Sequence, residues 1–211
     1  MEMIKTENKE LNSFWNLGLK PGGLIIIAAR PAMGKTTILL SIGSQISRHH
    51  KTQLMSLETS ASQLKQKGIS DSILIDDTPA INLEHLSKII LQNNPEVVLI
   101  DYIQLMTGNR ENLIKDLKNI AVKFNICLIV NSQIHRGPEY RALSDRRPII
   151  NDLTAGSSIF NSDNVAYIDN LTFLYRDSYY NRDSQEPDKI ELIQYDNGNI
   201  LKIQLDWISP T

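Results

Sequence analysis

Residues Ala29-Arg30-Pro31-Ala32-Met33-Gly34-Lys35-Thr36-Thr37 lie between two apolar runs, Leu24-Ile25-Ile26-Ile27 and Ile38-Leu39-Leu40-Ser41-Ile42. The first run has the length of a buried strand and the second reads as the start of a helix. A strand, a tight loop and Gly-Lys-Thr opening a helix constrain the fold more than any other stretch of this chain. Backbone N–H groups at a helix N-terminus point at an anion, and the helix dipole favours negative charge there. Lys35 is placed to reach the β- and γ-phosphates of a nucleotide, and the Thr36 hydroxyl to ligate Mg²⁺. The pattern usually begins with Gly, whereas this chain has Ala29, which cannot take a positive φ cheaply.

The rest of the chain alternates in the way that loop requires. Strand-like stretches at 52–57, 73–75, 97–100, 126–130, 165–168 and 171–175 are interleaved with helical patterns at 36–49, 60–67, 83–93 and 112–124. Residues 8–19 read as a short helix or turn packed on the domain, and 134–151 and 176–188 as polar loops. The alternating stretches 189–195 and 199–205 flank Asp196-Asn197-Gly198, a strong hairpin signal. The expectation is one α/β domain over residues 1–211, with a mostly parallel central sheet, helices on both faces and a C-terminal antiparallel hairpin. In such sheets ligands bind beyond the carboxyl ends of the strands.

Composition narrows the class of protein. The chain has 211 residues, 41% apolar and 22% charged, as in an ordinary globular domain. A net charge of −2 leaves any basic surface to be a local one. The single cysteine, Cys127, excludes an internal disulfide and sits in an apolar run, as a small buried residue does. The N-terminus lacks a signal-peptide core and the apolar runs are strand length, so no membrane segment is expected and the default is cytoplasmic.

Each core strand is expected to end in a residue with chemical use. Val97-Val98-Leu99-Ile100 closes in Asp101, a carboxylate suited to the Mg²⁺ side of a phosphate site. Glu58 ends the neighbouring strand, where it could take a proton from a water aligned on the γ-phosphate, or simply be solvated. Gln133 ends the next strand, where its amide could report ATP against ADP, or cap a helix or be solvated. The loop beyond carries Arg136, Arg141, Arg146 and Arg147, with Glu139, Asp145 and Tyr140 among them. Cations with one aromatic suit the phosphates and a stacked base of a single strand, and equally suit a solvated loop of mixed charge. The histidines show no metal spacing. Tyr175, Tyr179 and Tyr180 with Arg176 and Arg182 fit a contact surface or plain packing.

Taken together these residues resemble the motor domain of the DnaB-type bacterial replicative DNA helicases, with their RecA-like P-loop NTPase fold. The resemblance runs from about Leu11 to Leu205. It includes Gly18-Leu19-Lys20-Pro21-Gly22, the stretch 24–37, Ser56-Leu57-Glu58-Thr59-Ser60 and Ile75-Asp76-Asp77-Thr78-Pro79. Leu99-Ile100-Asp101-Tyr102-Ile103-Gln104-Leu105-Met106, Ser132-Gln133-Ile134-His135-Arg136, Arg146-Arg147-Pro148 and Phe173-Leu174-Tyr175-Arg176-Asp177 follow in family order. The resemblance implies ATP and Mg²⁺ as cofactors, with residues 29–37 as the nucleotide loop and Lys35 in the catalytic set. It implies Glu58 as catalytic base, Thr36 and Asp101 on the metal side and Gln133 as γ-phosphate sensor. In that family Ala is common at the position of Ala29.

Four departures from the family pattern bear on function. The family's amino-terminal domain and linker helix have no counterpart in this sequence. The segment between Ser60 and Ile75 is shorter than in the family. The family's DNA-contacting loop, roughly Leu-Arg-Glu-Ser-Gly-Ser-Ile, is here Leu153-Thr154-Ala155-Gly156-Ser157-Ser158-Ile159. The family's Lys-x-Arg, which reaches a neighbour's γ-phosphate, is replaced at Gln194 and Asp196. The expectation is a DnaB-like ATP-binding protein of replication or recombination, an ATPase slow on its own, with a partner supplying an arginine in a homo-oligomer or a mixed ring. Two alternatives stand beside it. One is an active helicase stimulated by single-stranded DNA, with Arg182 as substitute finger. The other is a non-hydrolysing, ATP-gated regulator of a helicase or loader.

Overall fold

The run Leu24–Ala29 forms β1, and it is buried along its whole length because it lies in the middle of the sheet with helices on both faces. Its neighbours in the computed structural model, which describes residues 2–16, 18–142, 146–196 and 199–206, are β5 (Cys127–Gln133) and β6 (Asn170–Tyr175). Beyond β5 come β4 (Val97–Asp101), β2 (Thr52–Ser56) and β3 (Ile73–Asp76); beyond β6 come β7 (Lys189–Asp196) and β8 (Asn199–Asp206). The eight-stranded order is β3-β2-β4-β5-β1-β6-β7-β8. The first six strands of that order run parallel, and β7 and β8 pair antiparallel to their neighbours. This is the mostly parallel sheet with a C-terminal antiparallel pair that the sequence implies. The Asn197-Gly198 turn, Asp145 and the Asp196 side chain lie outside the described residues.

Alternation along β1 divides the core into two layers. Leu24, Ile26 and Ala28 face a layer built with α4 (Leu83–Asn93) and α5 (Leu113–Phe124), through Leu86, Ile90, Leu113 and Leu117. Ile25, Ile27 and Ala29 face a layer built with α1 (Lys9–Phe14) and α2 (Lys35–Ile46), through Leu11, Phe14, Ile38 and Leu39. Helix α2 lies so close to β4 that a Cβ on Gly43 would sit 2.4 Å from Leu99 Cδ1. The short helix α3 (Ala61–Gln66) starts with a capping box in which Ser60 and Gln63 satisfy each other's backbone N–H.

Two expectations need correction. Residues 165–168, read as a strand, are a 3-10 turn at Asn164–Tyr167 followed by Ile168. Asn164 wins this competition, because its amide donates to Ile159 O at 2.6 Å and accepts from Asn161 N at 2.9 Å, giving the backbone local partners. Strand β5 ends, as expected, in Asn131, Ser132 and Gln133, which pair with Ile27, Ala28 and Ala29 of β1. The two polar loops also hold short helical turns, at Gly137–Tyr140, α6 (Ile150–Thr154) and α7 (Asp177–Tyr180). No helix among the described residues is long and apolar enough to cross a membrane.

Candidate nucleotide site

The carboxyl ends of β1, β4, β5 and β6, with Glu58 just beyond β2, surround one cavity of about 340 Å³. Its floor is the phosphate loop between β1 and α2. Gly34 is the residue before α2 and takes φ 92°, which favours glycine, and Ala32 takes φ 61°. Ala29 is still in β1, pairing with Gln133, so the missing first Gly of the motif costs no backbone strain.

Lys35 is only 7% exposed, and its ammonium donates to Ala29 O at 3.3 Å and Arg30 O at 3.2 Å. Burial pushes it down to about 8, against the pull of the Asp101 and Glu58 carboxylates, and the charge on Arg30 adds to the lowering. The Thr36 hydroxyl donates to Asp101 Oδ2 at 2.7 Å. Asp101 Oδ1 accepts from Asn131 Nδ2, also at 2.7 Å, so the carboxylate is fixed from both sides. A hydroxyl and a carboxylate held together beside a phosphate cradle are the hard oxygen donors that Mg²⁺ takes. Among the described residues no group of three or more His, Cys, Asp or Glu converges, so a metal here depends on phosphate oxygens and water as well.

Glu58 is exposed and lines the same cavity from the end of β2, and Gln133 lines it from the end of β5. Gln133 is clamped by Gln104, which no pattern in the sequence marks as a site residue. Gln104 accepts from Gln133 N at 3.1 Å and donates to Gln133 O at 3.0 Å and to Ser132 Oγ at 2.9 Å. Tyr102 also lines the cavity and is raised by burial and by the Glu58 and Asp101 charges, with a hydrogen bond from Gln133 working the other way. Arg176, expected on a contact surface or in plain packing, lines the cavity, and Asn131 supports it from behind Asp101. Asn131 had a signal, a polar residue within an apolar strand next to the one ending in Asp101.

The structure treats the loop arginines differently. Arg141 is paired with the buried Asp152 at 2.6 Å. Arg147 is paired with the buried Glu191 at 2.9 Å, and its guanidinium lies 4.8 Å from the centre of the Tyr175 ring. Arg146 lies over Tyr180 at 5.0 Å. Arg136 is exposed, as is Tyr140 at 83%. Arg30 belongs to the phosphate loop by sequence, but its side chain turns out of the cavity. Its guanidinium donates to Glu139 at 2.6 and 2.8 Å and to Ile134 O at 2.9 Å. Gln194, at the first basic position of the family's finger pair, is buried on the face of β7 that carries Ile190 and Leu192.

Comparison with known proteins agrees with this geometry. The model of the DnaB-like helicase C-terminal domain matches residues 3–73 and 69–211. A probable replicative DNA helicase of Trieres chinensis is 31% identical over an alignment of 244 residues, covering 90% of this chain and 52% of that protein. The replicative DNA helicase DnaB of Geobacillus stearothermophilus is 28% identical over 241 residues, again covering 90% of this chain and 52% of that protein. The chain thus spans about half the length of the curated relatives it matches. Among solved structures, a DnaB-like replicative helicase described with its interactions with primase superposes with a TM-score of 0.84 at 23% identity, over 99% of this chain and 60% of that one. A second solved structure, of an ATPase domain, gives 0.81 at 24% identity, over 97% and 88%. The RadB recombinase gives 0.63 at 18% identity, over 99% and 97%, so the fold is the RecA-like one. By fold, by motif order and by a family match that reaches from residue 3 to residue 211, the chain belongs to the DnaB-like helicase C-terminal domain family.

Proposed function

We propose that this chain is a Mg²⁺-dependent ATP-binding module of the DnaB-like family that hydrolyses ATP slowly on its own. The observation that carries this reading is the Thr36–Asp101 hydrogen bond of 2.7 Å, set in one cavity with Lys35, Glu58 and Gln133. The nucleotide's phosphates lie on the N-terminus of α2, with Lys35 drawn toward them. Thr36 and Asp101 would hold Mg²⁺ here, and the ion would supply charge neutralisation to the phosphates. Glu58 takes a proton from water as that oxygen bonds to the γ-phosphorus, and the bond from that phosphorus to the bridging oxygen breaks. The products are ADP and phosphate, with the proton on Glu58. Gln133, fixed through its backbone by Gln104, presents its amide to the γ-phosphate.

Turnover is slow alone because Gln194 is buried in β7 and Asp196 stands where the family has a basic residue. An arginine finger from a neighbour raises phosphoryl-transfer rates by roughly 10³–10⁵ where present. A partner in a homo-oligomer or a mixed ring with a helicase supplies what is absent. The test is equilibrium binding of ATP with and without Mg²⁺ to the wild type and to Lys35→Ala. Tight, Mg²⁺-dependent binding lost in the variant supports the proposal, and unchanged binding in the variant refutes it.

A second reading, contact with single-stranded DNA, is favoured by the exposure of Arg136 and Tyr140 on the 134–149 segment. A cation and a stacking platform left in solvent suit a strand's phosphate and base. Arg141, Arg146 and Arg147, expected beside them as DNA contacts, serve better to hold that segment onto α6, β7 and the tyrosine cluster. Salt-dependent binding of an oligonucleotide, weakened by Arg136→Ala together with Tyr140→Ala, is the result this reading requires.

A further inference from the structure

Strand β5 carries Asn131 at a position where packing calls for an apolar side chain. Cys127, Leu128, Ile129 and Val130 precede it, and Asn131 is buried as completely as they are. Its amide nitrogen donates to Asp101 Oδ1 at 2.7 Å. Among the described residues, its own Oδ1 is buried with no hydrogen-bond partner. A buried acceptor without a partner destabilises the fold, and leucine in the same place would avoid that cost. Packing therefore gives no reason for this amide, whereas its partner Asp101 does.

We propose that Asn131 is a positioning residue that makes Asp101 a one-oxygen partner for the cation and so sets a preference for Mg²⁺ over Ca²⁺. The proposal rests on the reading of this cavity as a Mg-ATP site. Three features support it. First, Ile100 of β4 lies opposite Val130 of β5, so Asp101 comes level with Asn131. Ile129 lies in the layer of α2 and Val130 in the layer of α4 and α5, which returns Asn131 to the side of α2, where Thr36 stands. Second, the two carboxylate oxygens are divided: Oδ2 accepts from Thr36 and Oδ1 from Asn131, each at 2.7 Å. The Asn131 amide is held by a fully buried strand, whereas the Thr36 hydroxyl rotates freely about its bond and can turn its lone pairs to a cation. Oδ2 is thus the oxygen left for the metal side. Third, among the described residues no group of three or more His, Cys, Asp or Glu converges to add further ligands. Mg²⁺ takes few carboxylates, keeps several waters and demands octahedral geometry, whereas Ca²⁺ takes about six to eight oxygens with carboxylates often bidentate. Holding Oδ1 back suits the smaller ion and denies the larger one its second oxygen.

The test is calorimetric ATP binding to the wild type, Asn131→Leu and Asn131→Ala, each treated with EDTA and then titrated with Mg²⁺ or Ca²⁺. Leucine keeps the branching of the asparagine side chain and removes the donor. Expected for Asn131→Leu is a rise of about 10–100-fold in the Mg²⁺ concentration that half-enhances ATP affinity, the scale of losing a partner behind a metal ligand. Ca²⁺ enhancement changes by less, so the preference for Mg²⁺ falls. ATP affinity in EDTA stays at the wild-type value, and the urea midpoint is kept or raised because the unpartnered acceptor is gone. A packing role alone would do the reverse, lowering the midpoint and leaving the Mg²⁺ titration unchanged. Unchanged Mg²⁺ dependence, or equal losses for Mg²⁺ and Ca²⁺, overturns the proposal. Should the leucine variant not fold, Asn131→Ala decides by the same cation titrations. A wild type that binds no ATP, or binds it equally with and without Mg²⁺, refutes the Mg-ATP reading itself, which separates the two failures.

Discussion

Nucleotide binding to this protein should take up protons, and the amount can be worked from Lys35. Its ammonium is buried and, among the described residues, donates to two carbonyls, and burial brings it down to about 8. A polyphosphate placed against it returns its affinity for the proton to the ordinary lysine value or above. With a free-state value of about 8, about three quarters of the lysine is charged at pH 7.5, about half at pH 8 and about a tenth at pH 9. The complex keeps it charged throughout. Binding at pH 8 therefore takes up about half a proton, and ATP affinity falls about eightfold from pH 7.5 to pH 9. The assay is isothermal titration calorimetry at pH 8 in buffers of different ionisation enthalpy, with affinities repeated across that range. No proton uptake at pH 8 together with a flat affinity profile would refute the reasoning.

The same group affects stability without ligand. Its folded value lies below the unfolded 10.5, so the unfolded chain binds more protons between about pH 8 and pH 10.5. Stability from this lysine is lowest below pH 8 and rises through that window, by about 3 kcal/mol at most. Cys127, pushed up to about 12 by burial, works in the opposite direction above pH 9. The difference between wild type and Lys35→Met across that window isolates the lysine.

Other expectations follow from single contacts. Asp101→Asn removes the carboxylate that Thr36 and Asn131 fix; the Mg²⁺ enhancement of ATP affinity should vanish while Mg²⁺-free binding persists, as a titration with and without EDTA would report. Gly43→Ala should cost about 1–3 kcal/mol by overpacking, because the new methyl meets Leu99 Cδ1 at 2.4 Å; a lower urea midpoint checks it, and an unchanged one contradicts the close α2–β4 contact. Leu117→Ala empties part of the fully buried layer between β1 and α5 and should cost about 2–5 kcal/mol in the same assay.

Much of the fold could be read from the sequence because periodicity and strand ends agree. The run 24–29 is apolar at every position since both its faces are covered, and its loop and helix follow at once. Asp101, Glu58 and Gln133 could be picked out because a parallel sheet sends its strand ends to one edge. What could not be read depends on side-chain partners far apart in sequence. The pairing of Arg147 with Glu191 spans 44 residues, and only the folded chain shows that this arginine is spoken for. Arg30 reads as a phosphate contact until Glu139, 109 residues on, is seen to hold it. The 3-10 turn at Asn164–Tyr167 is hidden because a short apolar run cannot reveal that asparagine side chains will take its backbone bonds.

The central claim is that this chain builds an ATP-hydrolysing site. The most direct measurement is single-turnover hydrolysis of ATP with the protein in excess, comparing wild type with Glu58→Gln at equal nucleotide occupancy. Slow formation of ADP by the wild type, abolished in Glu58→Gln while ATP stays bound, is the predicted result. Equal rates in the two proteins would contradict the account, because the carboxylate at the end of β2 would then do no chemistry.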